Sequence, residues 1–253
     1  MESVLSQSAV KNGRVTLEYL VCDGLSKDRT VEIVESFGSS AITVKSEKDR
    51  GMYDALGKGL RMATGDVVAY INAGDYYHKG AFEVVADIFD ETDTQWLTGF
   101  AAGCDERSAL VAFFLPYRYR RSLFDCGYYG VKLPFVQQES TFWRRSLIDL
   151  IDFERLTDFR YAGDYYLWHT FAQAHELRIV ESILGVFKFH AGQLSEDKQA
   201  YYTEMRSITR PRRMSDEIVG FCDHVFWALS PKIKKKMNPT GLYRYDRFAS
   251  KWR

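Results

Sequence analysis

Seven polar residues stand where apolar runs stop or helices begin, and their types could do chemistry. Asp23 ends the run LEYLVC, Asp49 and Asp54 sit in EKDRGMYDA, Asn72 and Asp75 follow VVAYI as NAGD, Asp164 lies in YAGDYYLW, and His190 follows FKF. Carboxylates scattered along a rim, with no Gly-rich phosphate cradle, suit a divalent cation that carries phosphates. Hard Mg²⁺ or Mn²⁺ prefers oxygen ligands and keeps several waters, so one or two carboxylates plus a diphosphate suffice. Asp75 is the best placed ligand, because the Ala73-Gly74 pair lets a diphosphate come close to the backbone. An Asx turn that merely closes the strand is the alternative.

Such residues need a scaffold, and the patterning of the chain supplies one. Leu17 to Cys22 reads as a strand, Thr30 to Phe37 as a helix, Ile42 to Lys45 as a strand and Met52 to Ala63 as a helix. Val67 to Ile71 is apolar throughout, as expected of a strand covered on both faces. Helix Ala81 to Phe89 and strand Gln95 to Phe100 follow. The alternation predicts an α/β fold with a mostly parallel, Rossmann-like sheet and helices on both faces. Ligands of such sheets bind at the carboxyl ends of the strands, where Asp23, Asp49 and Asp75 share one rim. Further on, VQQESTFWRRSLIDL reads as a loop feeding a helix, a second helix runs from Asp164, and a strand covers Arg178 to Phe189.

Composition narrows the class. The chain has 253 residues, 46% of them hydrophobic, with 16 Tyr and 17 Phe, which is ample core for a globular domain and excludes a disordered chain or a disulfide-stapled miniprotein. Lys and Arg total 34 against 34 Asp and Glu, so no nucleic-acid partner is expected. Cys22, Cys104, Cys126 and Cys222 form no metal-ligand spacing and suit reduced thiols in a cytoplasmic protein. No run approaches the roughly 20 apolar residues of a membrane span, and no secretory signal is readable.

The segments EYLVCDGLSKDRTVEIVESF, SEKDRGMYDALGKGLRMATGDVVAYINAGD, QQESTFWRRSL, YAGDYYLW and FKFHAGQLS, in that order, resemble family 2 glycosyltransferases of the GT-A fold, most of all the bacterial branch that builds capsules and exopolysaccharides. The resemblance runs from about Glu2 to Ser195 and implies a catalytic domain over residues 1–195, with a helical, basic extension over 196–253. It implies inverting transfer of a sugar from a nucleotide-diphosphate donor, a UDP-sugar being favoured, to a hydroxyl of a glycan or lipid-linked acceptor in cell-surface polysaccharide synthesis. On the donor side, Asp23 matches the residue that contacts the base, Asp49 and Asp54 match the following segment, and Asn72 is placed to bond a ribose hydroxyl. Asp54 or Asp49 could equally be a first-turn helix acid. Asp75 matches the last carboxylate of the metal-binding DxD motif and His190 a histidine that contacts metal or diphosphate. Asp164 matches the general base, with helix capping as its alternative role. Gln138, Glu139, Arg144 and Trp168 fall on the expected acceptor wall, beside Gln137 and Trp143, the last a candidate for plain core.

Three features depart from the pattern. The chain opens inside what resembles the family's first helix, so its usual first strand and loop are missing, and a start assigned too far downstream is the expectation. The first DxD acid is replaced, and Gly57 stands in mid-helix where relatives commonly carry Asn. These losses keep open a second reading, a non-catalytic GT-A relative that binds nucleotide or carbohydrate or scaffolds an assembly complex. Finally, Lys232 to Arg253 hold eight basic residues against Asp246, a net charge of +7, next to the apolar segment Ile218 to Leu229. Peripheral contact with an anionic membrane at the inner face of the cell is expected from that pairing, and a packed helix with a solvated tail is its alternative.

Overall fold

The computed structural model describes residues 1–253. Two short helices, α1 (Glu2–Leu5) and α2 (Ser8–Lys11), precede β1 (Tyr19–Asp23), α3 (Thr30–Ser36), β2 (Ile42–Ser46) and α4 (Met52–Met62). Then come β3 (Val67–Val68), β4 (Tyr76–Tyr77), α5 (Ala81–Glu91), β5 (Trp96–Thr98), β6 (Ala101–Cys104), β7 (Leu110–Phe114) and α6 (Arg121–Asp125). A 3₁₀ turn, Gln138–Ser140, leads into β8 (Thr141–Arg144), followed by α7 (Phe153–Thr157), α8 (Gly163–Ala174), β9 (Arg178–Val180) and β10 (Gly185–Lys188). The remaining chain forms α9 (Lys198–Arg206), α10 (Met214–Trp227), α11 (Pro231–Met237), β11 (Leu242–Tyr243), β12 (Tyr245–Asp246) and β13 (Lys251–Trp252).

The central sheet has the order β11-β9-β5-β8-β3, and its side chains alternate strictly between two apolar layers. Trp96, Trp143 and Ile179 join the larger cluster with Trp168 and Phe171 of α8, whereas their chain neighbours Leu97, Phe142 and Val180 join Val85, Ile88 and Phe89 of α5. That is the period-2 consequence of a strand covered on both faces, so α8 and α5 sandwich the sheet. The α/β layering is as expected, but the pairing is mixed: β9 runs parallel to β5 and β11, while β8 runs antiparallel to both β5 and β3. The loop-and-turn route from Phe135 into β8 reverses the chain, which a parallel crossover helix would not do.

β1 and β2 pair in parallel as a separate two-stranded sheet, tied to the centre by the Glu18 carboxylate, which accepts from the Thr64 N–H at 2.8 Å and the Thr64 hydroxyl at 2.9 Å. The amino-terminal turns are pinned by Gln7, fully buried, whose amide donates to the carbonyls of Ser3 and His78 and accepts from the Phe82 N–H. A third sheet has the order β4-β10-β6-β7. Residues 196–253, expected as an extension, pack directly onto the rest: β11 is an edge strand of the central sheet, and the Lys234 ammonium is buried on the Leu115 carbonyl at 2.6 Å. No helix is long and apolar enough to cross a membrane.

Candidate active site

Asp23 ends β1, and its oxygens accept from the Ser26 N–H at 3.2 Å and the Ser46 hydroxyl at 2.5 Å. These hydrogen bonds hold its carboxyl below the usual aspartate range. Asp49 reaches the same corner: a Cβ on Gly24 would lie 2.4 Å from Asp49 Oδ2, so a larger residue there would displace that carboxylate. In α4, burial would raise Asp54, but the Arg50 N–H and the Lys58 ammonium, 3.3 Å away, outweigh it and leave the carboxyl lowered. It is a paired first-turn acid, the alternative named for it above.

Asn72 and Asp75 sit between β3 and β4. The Asn72 amide donates to Gln138 Oε1 at 3.1 Å, and Gln138 in turn donates to the Tyr70 carbonyl, which brings the expected acceptor segment beside the donor-side turn. Asp75 Oδ1 accepts the Lys188 N–H at 2.8 Å. Beside it lies Glu139, which is 4% exposed and whose Oε2 has no hydrogen-bond partner. Burial, then each other's charge for Glu139, raises both carboxyls. Gly185 makes this possible, since a Cβ there would strike the Glu139 carbonyl oxygen. His190, exposed beyond β10, is near enough for its charge to favour the Asp75 carboxylate.

Asp164 lies in the first turn of α8 and is not its cap residue, which is Ala162. Gly163 is required beside it, because a Cβ would meet the Tyr53 ring at 2.5 Å. Three donors converge on Asp164 Oδ1: the Tyr165 N–H at 2.7 Å, the Tyr201 hydroxyl at 3.0 Å and the Tyr53 hydroxyl at 3.5 Å. Oδ2 keeps its lone pairs. Burial pushes the carboxyl up to about 6 despite those donors. Asp75, Glu139 and Asp164 are close enough that the charges of both aspartates raise Glu139, so these three form the centre of the site.

Two expected acceptor residues are elsewhere. Arg144 donates to the carbonyls of Phe89, Thr92 and Thr94 at 2.7 to 2.9 Å, closing the carboxyl end of α5. Trp168 is 1% exposed, packed against Trp96 and Trp143 in the core, and faces no ligand. An exposed-looking WRR and DYYLW pattern hides this because strand and helix periodicity do not say which layer a Trp enters. Trp143 is core, and Gln137 pairs both ways with the Ala102 backbone at 2.7 Å.

Sequence reading missed Tyr201 and Glu204 of α9. Glu204 accepts the N–H groups of Arg160, Tyr161 and Ala162 at 2.8 to 3.0 Å, fixing the loop that delivers Asp164. The paired Tyr201-Tyr202 in an otherwise polar helix was the available signal. A cavity of about 410 Å³ lined by Arg118, Arg121 and His175 lies at the opposite end of α8 from Asp164 and takes no part in this geometry.

A buried Glu139 oxygen without a hydrogen-bond partner beside Asp75 fits a divalent cation, whose charge would favour both ionised carboxylates. No three ligating side chains cluster anywhere, so most of such a cation's shell would be substrate oxygens and water.

The family model for Glycosyl transferase family 2 matches residues 1–149. No curated protein matches at the sequence level. Among solved structures, S. aureus TarS 1–349 in complex with UDP-GlcNAc superposes with a TM-score of 0.59 at 16% identity, covering 93% of this chain and 64% of that one. The same protein in complex with UDP gives 0.57 at 15% identity, with 93% and 63% covered. At this identity the likeness establishes the fold, a GT-A arrangement, and the chain spans just under two thirds of those structures.

Proposed function

The chain belongs to glycosyl transferase family 2, and from that premise we propose that it transfers a sugar, with inversion, from a nucleotide-diphosphate donor to a hydroxyl of a glycan or lipid-linked acceptor in cell-surface polysaccharide synthesis. A UDP-sugar is favoured, since the similar structures bind UDP-GlcNAc and UDP. A cytoplasmic setting suits four free cysteines. The observation that carries the reading is Asp164: one oxygen saturated by donors, the other free, in a buried setting that raises its basicity while leaving it ionised at neutral pH.

In the proposed reaction the acceptor hydroxyl gives its proton to Asp164 Oδ2 while its oxygen attacks the anomeric carbon. The bond from that carbon to the diphosphate breaks on the opposite face, and the electron pair leaves with the nucleoside diphosphate. Asp23, Asp49 and Asn72 line the donor end, where Asp49 lies against Gly24. Gln138 and Glu139 bridge donor and acceptor sides. Asp75 and His190 would hold Mg²⁺ or Mn²⁺, which when bound neutralises charge growing on the leaving diphosphate. Asp54 orders the start of α4.

The test is release of nucleoside diphosphate from a panel of UDP- and GDP-sugars with Mn²⁺, for the native chain and for Asp164→Asn. Donor-selective release that the substitution abolishes is expected. Donor binding without turnover under any acceptor supply would favour the non-catalytic alternative.

A further inference from the structure

We propose that the outward faces of α10 and α11 dock on an anionic lipid bilayer. Met214, Ile218, Phe221 and Val225 recur at spacings of four, three and four on α10, which places them on one stripe of the helix. Their exposures are 78%, 59%, 71% and 50%, a contiguous apolar row turned to solvent. Ile233 and Met237 of α11 are likewise exposed. Both helices roof the same segment: Phe226 stacks on Tyr117 at 4.9 Å and Trp227 packs on Phe114, while Lys234 of α11 and Asn238, which caps it, bond the carbonyls of Leu115 and Tyr117. Their free faces therefore lie on one side of the molecule.

The charge on that side decides the partner. α10 has three carboxylates, and all turn inward. Asp216 is 4% exposed and clamped by Arg210 at 2.6 and 2.9 Å, Asp223 is 1% exposed and clamped by Arg120 at 2.6 and 2.9 Å, and Glu217 lies half-buried beside the Tyr128 hydroxyl. α11 has no carboxylate at all. What remains outside is apolar side chains with Arg213, Lys232 and Lys236 exposed around them. A second copy meeting this face about a twofold axis would bring unpaired cations together with no acid to answer them. An interfacial bed of acyl chains under anionic headgroups satisfies both the row and its cations. The surface is independent of the transferase reading. It narrows the membrane contact expected of Ile218 to Leu229 and the basic tail to α10 and the start of α11, because Lys234 is buried and Leu242–Tyr243 is a sheet strand.

Co-sedimentation of the full chain with phosphatidylcholine vesicles, with and without phosphatidylglycerol, tests this. Binding is expected only with the anionic lipid. Phe221→Asp should weaken it about tenfold or more through lost apolar burial, and Lys232→Glu with Lys236→Glu about fivefold per charge removed. The lysine variant is the second arm should the first fold poorly, because both lysines are exposed. Absence of binding to anionic vesicles, equal binding by all variants, or light scattering that shows a dimer which Phe221→Asp dissociates would overturn the proposal.

Discussion

The carboxylates at the amino-terminal corner and those at the centre of the site are the same chemical groups in opposite surroundings. Asp23 and Asp54 are met by N–H, hydroxyl and ammonium donors and are held low. Asp75, Glu139 and Asp164 are enclosed by rings and backbone, and burial raises them against the donors they have. A satisfied carboxylate shapes a loop. One that burial raises is poised to take a proton or a cation, at some cost to the stability of the fold.

The largest effect that would break this contrast comes from Asp164→Asn. Transfer should fall by about 10²-fold to 10⁴-fold, the usual worth of a general base, while stability at pH 7.5 rises on the order of 1–2 kcal/mol as a buried charge disappears. The sign follows from a carboxyl raised in the folded state: the native chain takes up its proton near 6, above the ordinary value of 3.8. The stability gap to the Asn variant should therefore open as pH rises across that window and vanish below it. Thermal melts across the window check it.

Asp75→Asn should come next, reducing turnover by about 10²-fold and weakening Mn²⁺ binding in titration calorimetry. Asp23→Asn, by contrast, should lower the melting temperature and leave Mn²⁺ affinity alone. Tyr201→Phe removes one charge-assisted hydrogen bond and should lower kcat about tenfold with little change in KM. Because that hydroxyl favours the ionised form, the acidic limb of the rate profile should move upward. Tyr53 and the charge near Glu139 also face Asp164 and stay unchanged. The smallest effect is at Arg144→Leu, which should cost about 1–2 kcal/mol by freeing the α5 carbonyls and leave acceptor KM untouched.

Much of the scaffold was legible because periodicity reports burial. The helices over Thr30, Met52, Ala81 and Asp164 and the strands over Tyr19, Ile42 and Trp96 fall within a few residues of expectation. Pairing was not legible. Val67 to Ile71 reads as one strand, yet only Val67 and Val68 find a partner, in β8. Arg178 to Phe189 splits in two where Gly185 must slide under Glu139. Asp75, Asp164, Gln138 and Glu139 meet as the motifs suggested, whereas Arg144 and Trp168 share those motifs but face other layers. Tyr201 escaped because its partner is 37 residues away, on a helix whose local pattern says only that one face is apolar.

That Asp164 is the base is read out by the pH dependence of kcat/KM for nucleoside diphosphate release from a turned-over UDP-sugar. An acidic limb near pH 6 is expected in the native chain, and in Asp164→Asn a low, nearly flat profile that no pH restores. A variant that keeps native turnover, or the same limb, would contradict it.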